Sequence, residues 1–138
     1  MVRGQRVDAA SMTSAQSYSI LITDDDRQAR ETLREIVAPQ GFRTLMAESG
    51  EEAIELIGQN EVHLALMDMH MPRLSGLETM AIVRQIKGVI PAIFITADRD
   101  DELMRRALSE QAFCVLAKPV SKNVVIYVVN KAIEKYYN

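Results

Sequence analysis

Beyond Tyr18 the chain alternates two apolar patterns. Short β-branched or apolar runs are expected as strands over Ser19–Thr23, Phe42–Ala47, Val62–Met67, Ala92–Thr96 and Phe113–Ala117. The intervening and final stretches place apolar residues three and four apart, the spacing that keeps one helix face against a core. This predicts helices over Arg27–Ala38, Gly50–Gln59, Ser75–Lys87, Arg99–Ser109 and Ser121–Tyr137. Strict alternation of strand and helix is the signature of βα units, which run successive strands parallel and cover both faces of the sheet. Five such units make one α/β domain over residues 19–138.

Asp26 is placed to cap the first helix, and Pro39-Gln40-Gly41 to stop it. Gly88 followed by Pro91 ends the third. The core-facing positions are expected to be Ala29, Leu33, Ile36 and Val37 in the first helix, and Leu77, Met80, Ile82, Val83 and Ile86 in the third. The fourth helix is the weakest: Leu103, Met104, Ala107 and Leu108 form a narrow stripe among charges, which implies a small contact area and comparatively easy movement. The fifth contains the run Val124-Val125-Ile126-Tyr127-Val128-Val129, indifferent to helix, but its length and the continuation Lys131-Ala132-Ile133-Glu134-Lys135 favour one. With Val125, Val129, Ala132, Ile133 and Tyr136 toward the sheet, Val124 and Val128 form a second apolar strip. Together with Tyr127 that strip is a candidate surface for a homodimer, a target or the N-terminal arm.

Composition narrows the function classes. The 138 residues suit a single domain, and 48% apolar content allows a real core. The net charge of −3, with both signs scattered, offers no basic stripe for nucleic acid. No apolar run approaches the roughly 18–20 residues needed to cross a bilayer, so no membrane segment and a cytoplasmic location are expected. Cys114 is the sole cysteine, which excludes an intrachain disulfide, and it reads as a small buried hydrophobe. Residues 1–18, rich in Ser, Ala, Gln and Arg, lack the continuous apolar stretch of a secretory signal and are expected as a disordered arm.

The chemistry lies where the apolar runs stop: at Thr23-Asp24-Asp25-Asp26, Asp68, Thr96 and Lys118. In a parallel sheet with right-handed crossovers, ligands collect beyond the carboxyl ends of the strands, at the point where the winding reverses. Asp24, Asp25, Asp68, Thr96 and Lys118 are therefore expected to share one crevice. Clustered carboxylates push one another toward protonation unless cations intervene, so a divalent ion and one lysine are needed to balance them. Oxygen donors alone suit Mg²⁺ better than Zn²⁺. Asp68 then becomes a candidate nucleophile for a phosphoryl group, with Lys118 neutralising charge and Thr96 donating its hydroxyl to a phosphoryl oxygen.

Four pieces now stand in register: Ile20-Leu21-Ile22-Thr23-Asp24-Asp25-Asp26, Met67-Asp68-Met69-His70-Met71-Pro72-Arg73-Leu74-Ser75-Gly76, Ile95-Thr96-Ala97 and Ala117-Lys118-Pro119. They resemble the receiver domain of bacterial two-component response regulators, over about Ser19 to Tyr137. The resemblance implies a doubly wound (βα)5 flavodoxin-like fold with strand order 2-1-3-4-5. It implies phosphorylation of Asp68 by a sensor histidine kinase or phosphotransfer protein. It also implies Mg²⁺ held by Asp25, Asp68 and the main-chain carbonyl of His70, with Asp24 assisting. The Lys118–Pro119 bond is commonly cis in that family, in keeping with the general restriction of cis bonds to X-Pro.

One departure bears on output. Val115, three residues before Lys118, stands where the family typically has a tyrosine or phenylalanine, so no rotating ring can form the switch. His70 and Asp98, two residues after Asp68 and Thr96, occupy variable family positions that tune access to the acyl phosphate, and the pair is expected to set its lifetime. His63 is expected to be satisfied or exposed and not a ligand.

Rival readings fit less well. A flavin or nucleotide binder of the same winding would need glycine or hydroxyl groups and free N–H donors where the first loop offers Asp24-Asp25-Asp26. An aspartyl-phosphate hydrolase would carry its nucleophile in the first loop and add a cap domain. A degenerate receiver that binds partners without phosphate is disfavoured because every core site residue is present. The expected function is a signalling switch, not an enzyme acting on outside substrates. It assists its own phosphorylation and dephosphorylation, and it acts on a downstream protein target either alone or as the front of a longer regulator.

Overall fold

The computed structural model describes residues 18–98 and 100–138. Five parallel strands, β1 (Ser19–Thr23), β2 (Arg43–Ala47), β3 (Leu64–Asp68), β4 (Ala92–Thr96) and β5 (Cys114–Ala117), form one sheet in the order β2-β1-β3-β4-β5. The helices are α1 (Arg27–Val37), α2 (Gly50–Gln59), α3 (Gly76–Lys87), α4 (Asp101–Ser109) and α5 (Lys122–Tyr137). The arm expected over residues 1–18 falls, apart from Tyr18, outside the described residues. Among the described residues, no helix is long and apolar enough to cross a membrane.

Alternation along the strands explains how both faces are filled. Ile20, Ile22, Leu64, Leu66, Ile93 and Ile95 point to one side and pack with Leu33, Ile36 and Val37 of α1 and Val125, Val129, Ala132 and Ile133 of α5. Leu21, Ala65, Met67 and Phe94 point to the other, against Ala53 and Ile57 of α2, Leu77, Met80 and Val83 of α3, and Ala107 of α4. With helices on both sides, the three central strands are buried throughout, whereas β5 at the open edge is only half-buried.

Most departures from the sequence reading are at boundaries. Ser75, Asp100 and Ser121 prove to be N-caps, their side chains accepting from backbone N–H groups of the first helical turn. The strand β3 begins two residues later than expected and takes in Asp68, whose partner across the ladder is Ile95. A short 3-10 turn over Ala38–Gln40 follows α1, closed by Gly41 in the left-handed conformation (φ 98°) that glycine adopts without a Cβ clash. Two helical faces are narrower than expected. Ile82 (37% exposed) and Ile86 (58%) lie on the flank of α3, where neither α2 nor the sheet covers them. Tyr136 is 37% exposed rather than turned into the sheet. On α4 only Ala107 is buried and Leu108 is exposed, the thin contact its stripe implied.

Candidate functional site

Three strand ends and one strand-to-helix loop meet at the carboxyl edge of the sheet, and β1, β3 and β5 are each extended by a ladder bond one step past the strand. Asp24 N–H donates to Ala47 O (3.2 Å), Met69 N–H to Ile95 O (2.9 Å) and Lys118 N–H to Thr96 O (2.9 Å). The loop after β3 is fixed from below, where Gly76 N–H donates to Met69 O (3.1 Å). A Cβ on Gly76 would fall on the Asp68 carbonyl oxygen, so only glycine allows α3 to start this close to the site. Ser75 and Glu78 then close a reciprocal capping box.

The expected residues do come together. Asp24, Asp25 and Asp68 can each offer one carboxylate oxygen within 4.8 Å of the others. Asp24 and Asp68 are buried, while Asp25 is exposed. Lys118 Nζ lies 3.0 Å from Asp24 Oδ2 and 3.5 Å from Asp68 Oδ1. The remaining Asp24 oxygen, Oδ1, accepts from Asp26 N–H (2.9 Å), and Asp26 in turn caps α1 through Gln28 N–H (3.1 Å). Asp68 Oδ1 accepts from His70 N–H (3.3 Å). The Lys118–Pro119 peptide is cis.

Two members sit differently from the simplest expectation. Thr96 is buried, and its hydroxyl is committed to its own loop: it donates to Asp98 O (2.9 Å) and accepts from Asp98 N–H (3.0 Å). The His70 side chain is exposed, and it is the residue's N–H that meets Asp68. Val115, opposite Phe94 across the β4–β5 ladder, packs as a half-buried aliphatic group against the core. His63 is partnered at the opposite end of the sheet from the three aspartates, its Nδ1 accepting from Ser19 N–H (3.0 Å) and its Nε2 lying 3.5 Å from Glu61 Oε2.

Electrostatics follow from this geometry. Burial, reinforced by the charge of Asp24 and to a smaller degree Asp25, pushes the Asp68 carboxyl up to about 6, against the opposing pull of Lys118 and the His70 N–H. Burial works against the Lys118 ammonium, yet its bond to Asp24 and the charges of Asp68 and Asp24 hold it above the usual lysine value. One ammonium among three carboxylates leaves a deficit of positive charge that a small cation would fill, and an all-oxygen donor set fits a hard divalent ion such as Mg²⁺. Beside the cluster a groove of about 440 Å³ runs between α1 and the β5–α5 loop, with Ala29, Leu33, Ile95, Pro119 and Val120 as its apolar lining and Asp24 and Lys118 at its edge. One further contact is not announced by any spacing: Arg30 Nη1 donates to the Asp24 carbonyl (2.8 Å).

Fold and site together define a class, the doubly wound α/β domains with an acidic pocket at the carboxyl edge of a parallel sheet. Within it the chain belongs to a specific family. Residues 20–130 match the response regulator receiver domain, the receiver of bacterial two-component systems. Among curated proteins it is similar to response regulator RR06 of Streptococcus pneumoniae, 29% identical over 119 residues that make up 86% of this chain and 54% of that protein. It is also similar to the transcriptional regulatory protein CpxR of Escherichia coli K12, 37% identical over 86 residues, 62% of this chain and 36% of that one. The chain thus spans about half, or less, of these relatives' length. Among solved structures it is similar to the receiver domain of AraT, a response regulator from Geobacillus stearothermophilus (30% identity, TM-score 0.77, covering 86% of this chain and 94% of that one). It is likewise similar to the receiver domain of Francisella response regulator 1452 (27% identity, TM-score 0.79, covering 86% and 98%).

Proposed function

We propose that this receiver domain is a switch thrown by phosphorylation of Asp68. The observation that carries the reading is a buried carboxylate with too little positive charge around it, held at the strand end with Lys118 3.5 Å away. In the transfer, an Asp68 oxygen attacks phosphorus, the bond from phosphorus to the donor's histidine nitrogen breaks, and that nitrogen keeps the electron pair. The donor is a sensor histidine kinase or phosphotransfer protein. Asp24, Asp25 and Asp68 would hold Mg²⁺, with the His70 carbonyl as a further ligand, and the ion would supply charge neutralisation for the phosphoryl oxygens. Lys118 is poised to leave Asp24 and pair with the new charge.

Output follows from Thr96. To donate to a phosphoryl oxygen its hydroxyl must give up the Asp98 carbonyl, which releases the loop leading into α4. With Val115 in place of an aromatic ring, this exchange and the thinly packed α4 carry the signal. The surface that receives it is the exposed apolar pair Val124 and Tyr127 on α5, offered to a downstream protein or a second copy; Val128, expected in the same strip, packs against the core instead. His70 and Asp98 flank the acyl phosphate and set its lifetime.

Beryllofluoride, a stable stand-in for a phosphoryl group on a carboxylate, tests the switch. With Mg²⁺ present it is expected to shift the amide resonances of Asp68, Thr96, Asp98 and α4, and light scattering on the same sample reads self-association. Equal shifts in Asp68→Asn would remove Asp68 from the role, and shifts that stop short of Asp98 and α4 would refute the loop route.

A further inference from the structure

Three of the four polar positions on Asp24 are taken by contacts already described: its N–H by Ala47 O, Oδ1 by Asp26 N–H and Oδ2 by Lys118 Nζ. The carbonyl lies past the last strand pairing. Its partner among the described residues is a side chain six positions on, the Arg30 guanidinium at 2.8 Å. The Arg30 side chain is only 13% exposed, and its second terminal nitrogen lies 4.0 Å from Glu48 Oε2, whose own side chain is 72% exposed. An exposed carboxylate at that range does not fix an arginine. A short charge-assisted bond to a carbonyl does.

The peptide group is planar, so a donor on the Asp24 carbonyl also fixes the plane carrying the Asp25 nitrogen, and with it the direction in which Asp25 leaves β1. The Asp25 carboxylate has no hydrogen-bond partner among the described residues, yet an oxygen of it stays within 4.8 Å of those on Asp24 and Asp68. Its backbone alone can hold it there. We propose that Arg30 is a positioning residue for the cation site: by gripping the Asp24–Asp25 peptide it keeps Asp25 where a hard divalent ion needs it. This rests on the Mg²⁺ reading above. The charge of Arg30 itself repels a cation, so positioning and charge act with opposite sign and can be told apart.

Mg²⁺ titrations of the full chain, followed by amide ¹⁵N shifts, make the test. Arg30→Met is expected to move the Asp25 amide resonance before any ion is added, and to weaken Mg²⁺ binding roughly tenfold, the usual scale for losing a group that orients a ligand. Arg30→Lys, which keeps a charged donor on a slightly shorter side chain, is expected to recover part of that affinity. Arg27→Met removes the same charge from a residue whose side chain has no hydrogen bond to Asp24, Asp25 or Asp26 among the described residues, and is expected to leave the affinity within about twofold. An Arg30→Met variant that binds Mg²⁺ as tightly as the parent, or more tightly, overturns the proposal, as does an Asp25 amide that does not move. If the parent itself shows no Mg²⁺-dependent shift at Asp24, Asp25 or Asp68, the cation reading has failed and this proposal falls with it.

Discussion

The two ends of the same parallel sheet are built by opposite rules. At the amino end, Ser19 N–H donates to His63 Nδ1 (3.0 Å), His63 N–H to Ser19 O (2.9 Å), the Tyr137 hydroxyl to His63 O, and the Tyr18 hydroxyl to Asn138 Oδ1 (3.2 Å). The rings of Tyr18, His63 and Tyr137 pack within 5.0–5.4 Å of one another, centre to centre. At the carboxyl end, three carboxylates face one ammonium, and Asp68 is held near 6 by burial and by its neighbours. One end joins the first strand to the last helix through partnered hydrogen-bonding groups and packed rings, with a single nearby carboxylate contact, Glu61 Oε2 at 3.5 Å from His63 Nε2. The other keeps electrostatic strain that only a cation or a change of charge relieves, and the rest of the fold holds it in place.

Charge removal is the largest expected test of that contrast. Asp68 is raised in the fold from 3.8 to about 6, so its ionised form costs stability. The sign is fixed: the cost is fully present above the folded value and disappears as pH falls below the unfolded one. Without divalent ions, Asp68→Asn is therefore expected to stabilise the protein at pH 8 by on the order of 2 to 3 kcal/mol, and to lose that advantage near pH 4. Denaturant melts at the two pH values measure it. A variant less stable than the parent at pH 8 would mean that Lys118 already balances Asp68, and the contrast between the ends would collapse.

A smaller effect of opposite sign is expected at the other end. His63→Ala removes the acceptor for Ser19 N–H and two edge-to-face ring contacts, a loss of about 2 kcal/mol at neutral pH. It should leave beryllofluoride binding at Asp68 within about twofold, since β1 and β3 are anchored along their whole length. A large drop in that binding would show that the two ends are coupled through the strands, and would join what is here separated.

How much of this was legible beforehand depended on whether chemistry or packing decided the feature. The alternation of parallel strands and helices, the meeting of Asp24, Asp25, Asp68, Thr96 and Lys118, and the thin contact of α4 were legible, because period and punctuation carry them, whereas the strand order came from the resemblance to the receiver family. The exposure of Ile82 and Ile86 was not, since spacing gives a face but not how far the neighbouring helix extends over it. Three contacts left no signal in the chain: the Thr96 hydroxyl turned onto Asp98, the Arg30 guanidinium on a backbone carbonyl, and the His63 ring accepting from Ser19. Each joins a side chain to a main-chain group, and main-chain groups are the same at every residue. Tyr18, assigned by composition to the arm, is tied down because the last turn of α5 brings Tyr137 and Asn138 beside it.

The central claim is that Asp68 accepts a phosphoryl group using the residues gathered around it. Its most direct test is intact-mass measurement after incubation with acetyl phosphate, with and without Mg²⁺, on the parent chain and on Asp68→Asn. The expected result is a gain of one phosphoryl group on the parent in the presence of Mg²⁺ only, with fragmentation placing it on Asp68, and no gain on the variant. A parent that stays unmodified while the ion is bound, or a variant modified as fully as the parent, would contradict it.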